Sequence, residues 1–138
     1  MEGVFALEEF GKNGEVFRPP QIAGRYMVLN GVVLFIFHDR IRQADQTSYV
    51  GFGRYTISAT AYAYGYDDFS TYAHAAAGTS VSQKLPFEGM KSFTSALEQD
   101  GMHLRSADAR QDYKCSPGEL LYTFGPGNYR KYRRIKSE

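Results

Sequence analysis

The chain has 138 residues, a length that suits one domain with one core, and its 16 Lys and Arg against 15 Asp and Glu leave a formal net charge of +1. That balance supplies no long-range field to gather polyanions, so nucleic acid is not an expected partner. With 15 % aromatic residues, 11 Tyr, 10 Phe, no Trp and 14 Gly, the composition suits many short strands joined by turns, and it carries more rings than a core of this size requires.

Met1-Glu2-Gly3-Val4 has acid where a signal peptide has positive charge, so export is not expected. Val4 to Phe10 reads as a strand, because Gly11-Lys12-Asn13-Gly14 follows as a turn into Glu15-Val16-Phe17. Pro19 and Pro20 withhold ladder donors and force an extended loop. Arg25 to Leu29 and Val32 to His38 flank Asn30-Gly31, the strongest short hairpin signal. Val32 to Phe37 is also the longest apolar run, far below the roughly 20 residues that cross a bilayer, so no membrane span is expected.

Arg40 to Ser48 is polar and reads as a helical turn or a mobile loop near a barrel mouth. Gly51 and Gly53 bracket Phe52 as sites for a bulge, and the run from Arg54 to Tyr66 reads as one long strand. Period two then places Thr56, Ser58, Thr60, Tyr62, Tyr64 and Tyr66 on one face and Tyr55, Ile57, Ala59, Ala61, Ala63 and Gly65 on the other. Asp67-Asp68 ends that strand, and Ser70 to Ala77 is another, with Tyr72 and His74 on one face. After breaks at Pro86 and Gly89, Ser92 to Leu97 and Met102 to Ser106 flank a turn centred on Asp100-Gly101. Glu119 to Phe124 and Tyr129 to Lys136, joined by Gly125-Pro126-Gly127-Asn128, complete the chain. About eight to ten short strands with turns between neighbours predict an all-β chain, residues 1–138 forming a single antiparallel up-and-down β-barrel.

The order of these features resembles a bacterial lipocalin-like domain family, a branch of the calycin-type barrels. The resemblance rests on Gly3-Val4-Phe5-Ala6-Leu7-Glu8 with Gly14, on Pro20 before Gly24-Arg25-Tyr26, on Tyr49-Val50-Gly51-Phe52-Gly53-Arg54-Tyr55, and on Gly101-Met102-His103-Leu104. The chain departs from that pattern at Tyr62-Ala63-Tyr64, where relatives carry a Val-x-His element, at Lys91 in place of Arg, and at Phe5 in place of Trp. What the resemblance implies is the barrel fold, which hosts many functions.

Candidate chemistry is dispersed. Cys115 is the sole cysteine, which excludes an internal disulfide, suits a reducing cytoplasm and lies in no nucleophile motif. His38, His74 and His103 show no zinc spacing and no haem attachment motif, so neither metal nor cofactor is expected. Acid–base chemistry inside a barrel would draw on His38, His74, Tyr55 and Tyr64. Arg54 is read either as an anchor for an anionic ligand or as an arginine closing the barrel end over a ring. Arg130-Lys131-Tyr132-Arg133-Arg134-Ile135-Lys136, with five cations, reads as a solvated last strand and tail.

The expectation is a cytoplasmic barrel binding a small, mostly apolar, aromatic molecule between Phe35, Phe37, Tyr55, Tyr62 and Tyr64, with His38, His74 and Arg54 as polar anchors. The alternatives are a lyase, isomerase or cyclase that moves a proton in the same cavity without an organic cofactor, and a scaffold with a filled interior. A homodimer is left open.

Overall fold

In the computed structural model, which describes residues 1–84 and 89–135, the described residues form strands and turns with no helix. The strands are β1 (Gly3–Lys12), β2 (Glu15–Phe17), β3 (Ile22–Leu29), β4 (Val32–Asp39), β5 (Asp45–Ile57), β6 (Ala61–Ala75), β7 (Gly78–Lys84), β8 (Lys91–Glu98), β9 (Gly101–Ser106), β10 (Asp112–Cys115), β11 (Glu119–Thr123) and β12 (Tyr129–Arg134). Neighbours pair antiparallel in the order β1, β3, β4, β5, β6, β8, β9, β10, β11, β12, and β12 pairs back onto β1. Ten strands thus close a barrel, while β2 and β7 are arms on β1 and β6. Closure pairs the strand edges that an open sheet would expose.

The two short hairpins form where their turn residues tolerate positive φ. Asn13 and Gly14 sit at φ 52° and 82°, and Asn30 and Gly31 at 51° and 81°, the twist that matches flanking strands. The β8–β9 turn is Gln99–Asp100, because Glu98 pairs with Gly101, one residue earlier than the sequence implies. The polar loop ends sooner than expected, with β5 starting at Asp45. The break expected at Pro86 lies outside the described residues.

The stretch read as one strand from Arg54 to Tyr66 is a hairpin. Ser58 turns the chain: its amide donates to the Ala61 carbonyl at 2.9 Å, and its hydroxyl accepts from the amides of Ala61 at 3.2 Å and Thr60 at 3.4 Å. A serine-built turn carries no Gly, Pro or Asn to announce it. The turn resets the alternation, so Tyr55 pairs with Tyr64, and Tyr55 and Tyr62, assigned to opposite faces, both point inward with ring centres 6.2 Å apart.

Nor do Asp67 and Asp68 end a strand. The β5–β6 register shifts at Phe52/Gly53, leaving Asp67 as the extra residue of a bulge, and β6 runs on to Ala75. The glycines make this possible. A Cβ on Gly53 would strike the Gly65 carbonyl, and one on Gly51 would overlap the Phe69 ring.

Inward-facing side chains pack both ends of the barrel. At one end Phe5 is completely buried, the Arg134 guanidinium lies 4.8 Å over its ring, and Tyr55 donates to Glu2 at 2.7 Å. Arg134 therefore holds the ring-capping position that the sequence suggested for Arg54, which instead faces outward and pairs with Asp67. The other end is packed by Phe10 against Phe37, Phe17 and Phe124 at 5.1, 6.3 and 6.5 Å.

Candidate functional site

Between those two ends the interior is built from tyrosine. Alternation along β3, β6, β10, β11 and β12 brings Tyr26, Tyr62, Tyr64, Tyr66, Tyr113, Tyr122 and Tyr132 into the barrel. The hydroxyls of Tyr26 and Tyr62 lie 2.7 Å apart, a bond that satisfies two groups whose burial is otherwise costly. Tyr113 packs edge-on to Tyr122 at 4.7 Å and to Phe93 at 5.2 Å.

The rings do not fill the space. A cavity of about 170 Å³ remains, lined by Tyr26, Phe35, Tyr64, Tyr66, Phe69, Tyr113, Tyr122, Tyr132 and Arg130. A larger concavity of about 700 Å³ beside Arg18, Arg25 and Arg133 is a charged groove on the outer surface, where Arg18 pairs with Glu9 and Arg133 with Glu8. The interior cavity is distinguished by its walls of aromatic rings, open to solvent on one side.

Burial lifts the hydroxyls of Tyr26, Tyr66 and Tyr113 well above the ordinary tyrosine value, and it also raises those of Tyr62, Tyr64, Tyr122 and Tyr132. The wall is therefore protonated at neutral pH. These hydroxyls can donate hydrogen bonds to a ligand oxygen, and none serves as a base.

Arg130 brings a permanent charge to this wall. Its guanidinium carbon lies 4.8 Å from the Phe35 ring centre, 4.9 Å from Phe124, and 5.3 Å from both Phe37 and Tyr122. The four rings lie within cation–π range of the one guanidinium, and their attraction offsets part of the cost of withdrawing its charge from water. Its Nε is buried with no hydrogen-bond partner, and none of the ion pairs among the described residues includes it.

Of the residues singled out from sequence, Phe35 and Tyr64 line the cavity. Phe37, Tyr55 and Tyr62 are also buried in the interior, packed beside the cavity or at its ends. The three polar anchors belong elsewhere. Arg54 is on the outer face of β5, and His38 and His74 lie on the outer face of β4 and β6.

His38 follows inward Phe37, so alternation turns it out; its Nδ1 lies 2.8 Å from the Ser48 hydroxyl, which lies 3.4 Å from His74 Nε2. His74 Nδ1 is in turn 3.2 Å from the Thr79 hydroxyl. Partial burial first, then the charges of Arg40 and His74, push His38 below its ordinary value. His103, also outward, sits between Glu98 and Asp112 at 3.1 and 3.2 Å. Among the described residues no group of three or more His, Cys, Asp and Glu side chains could hold a metal ion.

The residue the sequence reading passed over is Arg130, taken as part of a solvated charge run. A signal was present: with Tyr132 facing the core, alternation forces Arg130 and Arg134 inward and leaves Lys131 and Arg133 outside. Compared with known proteins, the chain matches no family model, no curated protein and no solved structure. The closed antiparallel barrel, compatible with a calycin-like fold, is what stands.

Proposed function

We propose that the barrel binds one small aromatic molecule in its interior. The observation that carries this reading is the cavity of about 170 Å³ walled by tyrosine and phenylalanine rings. A closed apolar cavity of about 150 Å³ suffices for benzene, whereas sites for drug-sized ligands occupy about 300–1,000 Å³. The fit is to a single ring with a small substituent, and the resemblance to lipocalin-like domains agrees with a ligand held inside the barrel. The buried, unpaired Cys115 suits a reducing compartment, and no helix of the described residues is long and apolar enough to cross a membrane.

A lyase, isomerase or cyclase in the same cavity would need a base. The tyrosines stay protonated and the histidines face away, so binding is the reading these residues support. With no Trp in the chain and six of its 11 tyrosines on the cavity wall, intrinsic tyrosine fluorescence includes a signal from the cavity. Titration with single-ring compounds, two-ring compounds and long-chain fatty acids should give saturable one-to-one quenching with the first group alone. Absence of saturable binding by any single-ring compound would overturn the proposal.

A further inference from the structure

Resting on that reading of the cavity, we infer that its ligand is an anion, a single-ring aromatic carboxylate whose carboxylate docks on Arg130. A guanidinium withdrawn from water is ordinarily paired with a carboxylate or hydrogen-bonded through all its edges, because an uncompensated buried charge is strongly disfavoured. Arg134, on the same strand, follows that rule by donating Nε to the Pro117 carbonyl at 2.8 Å and Nη1 to the Glu2 carbonyl. Arg130 is half-buried and less fully partnered: its Nε has no partner, Tyr132 is the side chain within bonding range of it, no acidic side chain pairs with it among the described residues, and it lines a cavity whose other walls are rings.

The rings determine how an anion would approach. Phe35, Phe37, Tyr122 and Phe124 lie about the guanidinium carbon, where they interact with its charge through their faces. The N–H bonds radiate in the guanidinium plane, and the two terminal nitrogens present parallel donors. Two parallel donors match the two oxygens of a carboxylate. Tyr132, two residues on and within bonding range of Arg130, lines the same cavity and adds a neutral hydroxyl that burial keeps protonated.

Size settles the rest of the molecule. With about 170 Å³ available, the carboxylate leaves room for one ring, which the walls of Tyr64, Tyr66 and Phe69 are placed to contact. A long-chain acid or a fused polycycle exceeds the space.

Calorimetric titration with benzoate and its neutral isostere benzamide, on the wild-type chain and on Arg130→Met, tests the inference. The wild type should prefer benzoate by about tenfold or more, the effect of one charge-assisted bidentate contact. Arg130→Met, which keeps the length and apolar bulk of the side chain, should lose that preference and still bind benzamide. Equal binding of the two compounds by the wild type would overturn the carboxylate assignment and leave the cavity reading intact, and a preference undiminished in Arg130→Met would overturn the role of Arg130. Failure of the wild type to bind either compound would overturn the carboxylate assignment, while the cavity reading is decided by the wider titration with single-ring compounds. Should Arg130→Met not fold, the wild-type comparison alone decides.

Discussion

Arg130 and Arg134 lie two inward positions apart on β12, on either side of Tyr132, both point into the barrel, and both have a guanidinium about 5 Å from an aromatic ring, yet their surroundings differ. Arg134 sits over Phe5 with its donors on two backbone carbonyls of neighbouring segments, so it ties the first and last strands together and closes that end. Arg130 sits among four rings with a buried Nε that bonds to nothing in the protein. The contrast separates a charge that completes a fold from one that the fold leaves incomplete. Identical chemistry on one strand thus takes a structural role where the chain supplies acceptors and a recognition role where it supplies a cavity.

The largest way to disturb the region around Arg130 is pH. Seven interior tyrosines have folded values raised by burial. A group whose proton is held more tightly in the folded state stabilises the fold fully below its unfolded value, about 10 for tyrosine, and loses that contribution as pH rises through the folded value. Unfolding should therefore become progressively easier above about pH 10. Absorbance of tyrosinate should rise in one cooperative step coincident with loss of the barrel's circular dichroism. Gradual ionisation of the interior tyrosines in an intact barrel would show that the wall is wet.

Next in size is the direct comparison of the two arginines. Arg134→Met removes two charge-assisted hydrogen bonds, and a loss of about 2–4 kcal/mol is expected in urea unfolding. Arg130→Met removes a charge with no ionic partner, and its cost should stay within about 1 kcal/mol or reverse sign. Equal losses at both positions would erase the distinction.

A smaller effect is expected at the Tyr26–Tyr62 bond. Either single change to Phe leaves one buried hydroxyl without its partner, at a cost of about 1–3 kcal/mol, while the double change removes both groups and should cost less than the two singles added. A double-mutant cycle in urea measures the coupling, and strict additivity would show that the 2.7 Å contact contributes nothing.

The barrel was legible in the sequence because its hairpins are marked by residues with few alternatives. Asn30-Gly31 and Asn13-Gly14 take positive φ at low cost, and the runs beside them alternate. The Ser58 turn was not legible, since serine acts there through a side-chain bond that depends on the backbone path it helps to make. Missing it put Tyr55 on the wrong face relative to Tyr62 and Tyr64, although all three belong to the interior cluster. Histidines drew attention for their chemistry, yet the pleat decides direction, and inward Phe37 turns His38 outward. Arg130 was hidden by its company: a run of cations looks solvated until one tyrosine in it is known to face the core.

The crystal structure of the protein with benzoate bound tests the central claim most directly. A single ring should occupy the cavity between Tyr64, Tyr66 and Phe69 with its carboxylate on the Arg130 guanidinium, and an interior closed by repacked tyrosines, or benzoate bound only on the outer surface, would contradict it.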